Sequence, residues 1–211
     1  MKVLVVSDIH GNLSAIEAVL KVETDWDICI CLGDVVNYGP WCNECVDLLQ
    51  NLRNCIKLKG NHEEYFINQN YYQPGSLSYE FYRFCLPAFE RQDVIEKYLE
   101  RLQINNFTMQ HTIHGQYIFP DTMLELDANY FVGHSHRQFI YENNHFQLVN
   151  PGSVGQNRQF INQIDYIIWY PEKPLIQLKH IVYDVNILIK EMKKRNYPDS
   201  CIAYYENKPK I

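Results

Sequence analysis

The order of apolar and polar residues predicts an α/β fold for this chain of 211 residues. Short apolar runs, such as 3–6 and 28–32, alternate with segments whose apolar residues recur at helical spacing. This alternation is typical of strands connected by helices. Hydrophobic residues make up 46% of the chain and charged residues 21%, so one domain over 1–211 with a substantial core is expected.

The first third predicts three strands and two helices. The apolar runs predict strands over about 2–7, 27–32 and 55–59. After Gly11-Asn12, an apolar face at helical spacing predicts the first helix: Leu13, Ile16, Val19 and Leu20. The same criterion predicts a second helix over about 41–53.

The middle of the chain, about 62–102, is helix-like but interrupted by Pro74-Gly75 and Pro87. Its part 65–89 is rich in tyrosine and phenylalanine. These aromatic residues either line a pocket that stacks a nucleobase, or pack in the core and over the sheet. The sequence leaves both interpretations open.

The second half returns to strands and ends in a helix and a polar tail. Strands are expected over about 105–111, 129–133, 137–142, 145–149, 164–170 and 175–182. Asn143-Asn144 is a hairpin signal between two of them. A last helix over about 185–195 precedes a polar tail over about 196–211.

Charge and cysteine content restrict the expected partners and location. The net charge of −6, without a basic run, argues against broad nucleic-acid binding. No apolar stretch approaches the length of a membrane span or a secretory signal. The seven cysteines are an odd number, and Cys42-x-x-Cys45 lacks a second pair, so free thiols and a cytoplasmic location are expected.

Four polar clusters follow four predicted strands. They are Asp8-Ile9-His10, Gly33-Asp34, Gly60-Asn61-His62-Glu63 and Gly133-His134-Ser135-His136. Each cluster alone is also typical of a turn or a helix cap. Their order, and their position at strand ends where α/β sheets usually place their sites, favour one shared metal site. Carboxylate, imidazole and amide ligands suit divalent ions such as Mn, Fe and Zn.

These clusters resemble the calcineurin-like metallophosphoesterase superfamily, whose pattern is D-x-H, G-D, G-N-H-[DE], a lone His and G-H-x-H. The run from Asn150 to Gln156, with its N-P-G-S stretch, is similar to the small bacterial and archaeal phosphodiesterase branch. The resemblance covers about residues 1–182. It implies a two-sheet β-sandwich flanked by helices, in four layers α/β/β/α, with a two-metal site at one end.

The resemblance also implies the ligands of two divalent ions, with Mn, Fe, Zn and Ni as the candidates. One ion would take Asp8, His10, Asp34 and His136, and the other Asp34, Asn61, His134 and one further histidine. Asp34 would bridge the ions. His111 fits the end of the strand at 105–111 best, and His114 is the alternative.

The implied function is hydrolysis of a phosphate ester in a small phosphorylated substrate, with a diester favoured over a monoester. The ions would activate a water molecule, and His62 would protonate the leaving group. Asn12 and Arg158 are candidates for contact with the phosphate. The oligomeric state is left open.

Other functions of this superfamily are less well supported. Protein phosphatases carry G-D-x-x-D-R-G, whereas this chain continues from Asp34 to Asn37-Tyr38-Gly39. A binding scaffold with little catalysis, as in the retromer subunit of this fold, is the alternative from another class. The complete set of predicted ligands favours an enzyme. A DNA-processing nuclease would require a basic groove and further domains, which the sequence does not indicate.

Overall fold

A computed structural model describes residues 1–71, 73–143, 145–173 and 175–211. Two mixed sheets of five strands each pack together and are flanked by helices, which confirms the predicted two-sheet α/β sandwich. The strands are β1 Val3–Val6, β2 Ile28–Cys31, β3 Cys55–Lys57, β4 Arg101–Ile104, β5 Phe107–Gln110, β6 Asn129–Phe131, β7 Gln138–Glu142, β8 Gln147–Pro151, β9 Gln163–Tyr170 and β10 Leu175–Val182. The helices are α1 Leu13–Val22, α2 Cys42–Asn51, α3 Asn61–Asn68, α4 Leu77–Cys85, α5 Gln92–Ile95, α6 Asn186–Lys194 and α7 Asp199–Asn207, with a 3₁₀ helix at Leu86–Ala88.

Parallel pairing brings the carboxyl ends of the central strands to one edge of each sheet. The first sheet has the order β10-β9-β1-β2-β3, with β1, β2 and β3 parallel. The second has the order β4-β5-β6-β8-β7, with β5, β6 and β8 parallel. Polar residues that follow these strands can therefore meet at one end of the sandwich.

Two apolar layers hold the sandwich together. Between the sheets, side chains of β1 and β2 such as Val5 and Ile30 pack against Phe107, Phe131 and Trp169. This layer explains why β1 is apolar throughout: its other face, with Leu4 and Val6, is buried under the helices. Burying such side chains contributes roughly 1.5–3 kcal/mol each.

The outer face of the second sheet is covered differently. Residues 112–128, all of them described, contain no helix or strand. Ile113, Ile118 and Leu126 from this segment pack on Phe139 and Leu148 of the sheet. The outer layer on this side is therefore an irregular segment that begins beside the strand-end clusters, directly after His111.

Two elements differ from the sequence-based expectation. The last two residues of the segment expected to be helix-like, 62–102, belong to β4, an edge strand that pairs antiparallel with β5 and that the sequence analysis did not predict. The expected polar tail, 196–211, contains α7, whose Cys201, Ile202 and Tyr205 are buried against the helical layer. The exposed face of α7 is polar, with Asp199, Ser200, Glu206 and Asn207, and the apolar stripe is too short to stand out in the hydropathy pattern.

The remaining predictions concern the hairpin, the cysteines and membrane-spanning helices. β7 and β8 form the antiparallel pair that the hairpin signal indicated, and Asn144 lies outside the described residues. All seven cysteines are free, as predicted. Within the described ranges, no helix is both long and apolar enough to cross a membrane.

Candidate metal centre

The residues of the strand-end clusters adopt an unusual backbone conformation. Five of their residues have positive φ angles between 50° and 68°: Asp8, His10, Asp34, His134 and His136. Residues other than glycine rarely adopt this region, and each instance costs of order 1–3 kcal/mol. The rest of the fold must compensate for the free-energy cost of this strained backbone. Strained residues of this kind are concentrated at functional sites, so these clusters indicate one.

One group of four side chains could hold a metal ion: Asp8, His10, Asp34 and His136. All four are buried, and one ligand atom from each lies within 4.8 Å of the others. Nε2 of His136 is 3.2 Å from Oδ1 of Asp8, and Nε2 of His10 is 3.9 Å from Oδ2 of Asp34. We call these four residues the first ligand group.

The histidines of this group face each other through their Nε2 atoms. Nδ1 of His10 contacts the carbonyl oxygen of Val36 at 3.2 Å, and Nδ1 of His136 contacts that of Gln156 at 2.9 Å. A carbonyl can only accept, so each Nδ1 donates, and Nε2 is the atom of each ring that can bind a cation. The two Nε2 atoms are only 3.2 Å apart, so one cation can contact both. Burial holds the pKa of His10 well below its usual value, which keeps its Nε2 lone pair available.

A second group shares Asp34 with the first. Asp34, His111 and His134 could hold another ion, with their ligand atoms again within 4.8 Å. Nδ1 of His111 donates to the carbonyl of Leu32 at 2.9 Å, so its Nε2 faces Oδ2 of Asp34 at 3.1 Å. Although burial opposes a charged ring, Asp34 raises the pKa of His111 to about 10, so a proton lies between these two atoms, and a bound cation would take its place. With Asn61, these residues are the second ligand group.

Asn61 fits this group through an unsatisfied atom. Its buried Oδ1 has no hydrogen-bond partner among the described residues. Buried polar atoms are nearly always paired, so an unpaired oxygen at this position suits a cation ligand. The preceding Gly60 allows the close approach, because a Cβ atom there would collide with Oδ1 of Asp34.

Glu63 holds the backbone around Asp34 in place. Its Oε2 accepts from the N–H groups of Asp34 at 2.8 Å and Gly60 at 2.7 Å, while Oε1 accepts from Val35 at 2.8 Å and Val36 at 3.2 Å. This buried carboxylate connects the loop after β2 with the start of α3. The family pattern suggested an acid at position 63, but only the structure shows this positioning role.

Comparison with known proteins identifies the family of this chain. The family model of the calcineurin-like phosphoesterase superfamily domain matches residues 1–171. The chain belongs to this superfamily. It is 30% identical to the uncharacterized protein MJ0912 of Methanocaldococcus jannaschii over 93% of this chain and 94% of that protein.

Two solved structures show the shared fold. A metallophosphoesterase from Sphaerobacter thermophilus has a TM-score of 0.79 at 23% identity, covering 98% of both chains. A structure described as a novel archaeal phosphodiesterase has a TM-score of 0.52 at 18% identity, covering 86% of this chain and all of that one. The predicted superfamily is thus confirmed.

His62 lies next to this metallophosphoesterase centre without being in either ligand group. Its Nε2 is 3.9 Å from Oδ2 of Asp34, and its backbone N–H donates to Oδ1 of Asp34 at 2.9 Å. Nδ1 lies 2.9 Å from Nδ2 of Asn37, whose N–H groups can only donate. This contact leaves the ring proton on Nε2, which faces the site. Burial lowers the pKa of His62 to about 4, so the ring is neutral at pH 7.

Aromatic side chains surround the two ligand groups. The Tyr38 ring lies 4.8 Å from that of His10, and Tyr65 lies 5.5 Å from His62. Tyr117 stacks on His134 at 3.9 Å. Of the predicted aromatic segment, Phe66 is fully buried in the core. Some rings of the segment therefore form the core and others lie beside His62, while stacking of a nucleobase by this segment stays a prediction.

The remaining predicted site residues differ in their access to the centre. Asn12 is fully buried: its Oδ1 accepts from Ala15 N–H and the Ser14 hydroxyl, and its Nδ2 donates to Gly155 and Tyr183. It caps α1 and offers no free atom to a substrate, contrary to the expectation from sequence. His114 is exposed and outside both ligand groups, whereas His111 lies in the second.

Arg158 lies close to the first ligand group. It is half-buried, and its Nη1 donates to the hydroxyl of Tyr204 at 3.0 Å. Although burial opposes its charge, neighbouring tyrosines and Asp8 raise the pKa of Arg158. Tyr204 belongs to α7, so the sequence analysis, which expected a polar tail there, missed this contact.

Proposed function

We propose that this protein is a metal-dependent phosphodiesterase that binds two divalent ions in the two ligand groups. One observation carries the proposal: the two groups share Asp34, and the buried ligand atoms of each group converge to within 4.8 Å of one another. Membership of the metallophosphoesterase superfamily supports hydrolysis of a phosphate ester. The likeness to an archaeal phosphodiesterase is one of fold and is compatible with a diester substrate.

The first ion would be held by Asp8, His10, Asp34 and His136, and the second by Asp34, Asn61, His111 and His134. This mixture of carboxylate, imidazole and amide donors suits Mn, Fe, Zn or Ni. Such ions, when bound, neutralise phosphoryl oxygens and make water a better nucleophile. The hydrogen bonds from Nδ1 atoms to backbone carbonyls fix the ligand rings in the orientation needed for this.

The protein's own groups would act on the leaving side of the ester. His62 presents the proton on Nε2 toward the centre, because Asn37 occupies its Nδ1. A diester expels an alcohol, whose oxygen needs a proton as its bond to phosphorus breaks. His62 would supply that proton, and the negative phosphate beside it would favour the protonated ring. Tyr38 and Tyr65 restrict water around the imidazole.

A phosphoprotein substrate is less compatible with this site. Asn37 and Tyr38 stand where protein phosphatases carry an acid and an arginine. Asn37 contacts His62, and Tyr38 packs on His10 and His62. This chain thus has a tyrosine ring at position 38, where the protein-phosphatase pattern has an arginine.

The proposal is tested with purified protein supplied with Mn²⁺ or Ni²⁺. Bis(p-nitrophenyl) phosphate and p-nitrophenyl phosphate share a leaving group and differ in being a diester and a monoester. We expect a higher kcat/KM for the diester. Faster hydrolysis of the monoester would replace the diester assignment, and no hydrolysis of any ester with both ions bound would favour a binding scaffold.

The role of His62 is tested by His62→Ala. We expect this variant to retain both ions while kcat falls about 10²–10⁴-fold on a diester with a poor alkoxide leaving group. The decrease should be much smaller with a nitrophenol leaving group, because nitrophenolate departs without a proton. An equal decrease for both substrates would contradict proton donation. His145→Ala, which changes an exposed histidine in the connection between β7 and β8, is the control.

A further inference from the structure

Three cationic side chains from separate parts of the chain lie beside the first ligand group. Arg137 directly follows the predicted ligand His136 and is exposed. Arg158 lies in the loop after β8, and Lys208 follows the last residue of α7. Both Arg158 and Lys208 are half-buried, which is unusual for charged side chains that form no ion pair.

The ring of Tyr204 connects these cations to the centre. Nη1 of Arg158 donates to its hydroxyl at 3.0 Å, while Nζ of Lys208 lies over the ring face, 4.4 Å from the centroid. The ring lies 6.4 Å from that of Tyr38, which in turn contacts His10 at 4.8 Å. Two aromatic rings thus separate Lys208 from a predicted metal ligand.

The charges of the three cations are not neutralised within the protein. None of the ion pairs formed by the described residues includes Arg137, Arg158 or Lys208. Burial, followed by the charges of Arg158 and Arg137, lowers the pKa of Lys208 to about 8. Like charges that approach each other in a partly buried place are unfavourable unless an anion joins them.

We propose that Arg158 and Lys208, with Arg137 at the rim, bind a second phosphate group of the substrate beside the one that is hydrolysed. The substrate class is then an organic compound with two or more phosphate groups. This inference rests on the proposed phosphoesterase function and specifies its substrate. Guanidinium groups match phosphate oxygens in geometry, and the lysine adds a point charge.

The position of the subsite explains why a second phosphate is needed. Two metal ions would already balance the negative charge of the hydrolysed phosphate. Further cations at a distance would therefore add little to the binding of that phosphate. Moreover, Tyr204 and Lys208 lie outside residues 1–171, the part matched by the family model. The C-terminal helix therefore adds a specificity element to a shared catalytic end. The net charge of −6 makes a long polyanion an unfavourable ligand for the protein as a whole.

The test compares the binding of ADP and AMP to the metal-loaded protein. Dissociation constants are measured by calorimetry at equal free Mn²⁺, and inhibition constants against bis(p-nitrophenyl) phosphate. We expect Lys208→Gln to weaken ADP binding about 10- to 100-fold, as for the loss of a charge-assisted hydrogen bond. AMP binding and kcat/KM for the one-phosphate ester should stay within about twofold.

Two variants serve as controls. Lys208→Arg keeps the charge and should restore tight ADP binding. Lys210→Gln changes an exposed lysine two residues away, which bonds the carbonyl of Glu206, and should behave as wild type.

Each contrary outcome has a distinct meaning. Unchanged ADP binding in Lys208→Gln would overturn the subsite, and so would an equal loss for AMP and ADP, which would place the lysine at the hydrolysed phosphate. If wild-type protein hydrolyses no ester but the variant still loses ADP selectively, the proposed function fails and the subsite stands.

Discussion

The two ligand groups share Asp34 but differ in charge and enclosure. The first contains two carboxylates, Asp8 and Asp34, and its His10 is 0% exposed. The second contains only the shared carboxylate, with two histidines and an amide. It is covered by Tyr117, whose side chain is 55% exposed and belongs to the irregular segment 112–128.

This difference has a physical consequence for metal binding. The electrostatic attraction on a bound cation is stronger from two carboxylates than from one, and it is stronger where water is excluded. Both groups are built from residues that follow strands, but the second is also covered by Tyr117 from the irregular segment 112–128, which packs on the outer face of a sheet. We therefore expect the first ion to bind tightly and the second to exchange more readily.

The largest effect is expected where the two groups meet. Asp34→Asn removes the only shared charge, so both ions should bind poorly. The loss of several kcal/mol of transition-state stabilisation corresponds to a decrease in kcat/KM of about a thousandfold or more. Metal content per chain and kcat/KM measure this. Asp121→Asn, at an exposed position of the 112–128 segment, is the control. A variant at Asp34 that lost only one ion would show that the groups are independent sites.

The next test separates the groups. Titration of the metal-loaded protein with a chelator should remove the ions in two steps. His134→Ala should abolish the weaker step and leave one tightly held ion. His114→Ala should leave both steps unchanged, because that exposed side chain lies outside the ligand groups. Loss of the tighter step in His134→Ala would reverse our ranking of the two groups.

The smallest effect concerns the cover of the second group. Tyr117→Ala removes the ring stacked on His134 and should weaken the second ion about 2- to 10-fold, as for the loss of an aromatic contact. Tyr117→Phe keeps the ring and should preserve the affinity. Phe119→Ala is a matched control, since this ring lies 6.5 Å from Tyr117 in the same segment. Equal weakening of both ions by Tyr117→Ala would mean that the loop acts on the whole centre.

Much of the fold could be predicted because strands and helices differ in their apolar period. The runs that became β1 and β2 are short and continuous, as expected for strands buried on both faces. β4 was missed because it is a short edge strand, partly exposed, within a region of helix-like composition. α7 was missed because few of its residues are buried and because its tyrosines are less hydrophobic than the residues that usually mark a buried helix face.

The candidate site shows the same division. Asp8, His10 and Asp34 stand at strand ends that are recognisable from the sequence. His111 and His114, by contrast, both follow the same strand and have the same chemistry, so only the path of the chain after β5 distinguishes them. Asn12 was expected to face a substrate, yet its hydrogen bonds within the protein occupy the whole side chain.

The sequence by itself determined the order of the strands along the chain, the residue types at their ends and hence the chemistry of a centre with carboxylate and imidazole ligands. Only the tertiary structure decided which side chains meet: Asp34 between the two groups, Asn37 on His62, and Tyr204 with Lys208 beside Arg158. The physical reason is that the local sequence pattern reflects burial and backbone period, whereas these arrangements depend on contacts between residues far apart in the chain, such as Asn37 with His62, 25 positions apart, and Arg158 with Tyr204, 46 positions apart.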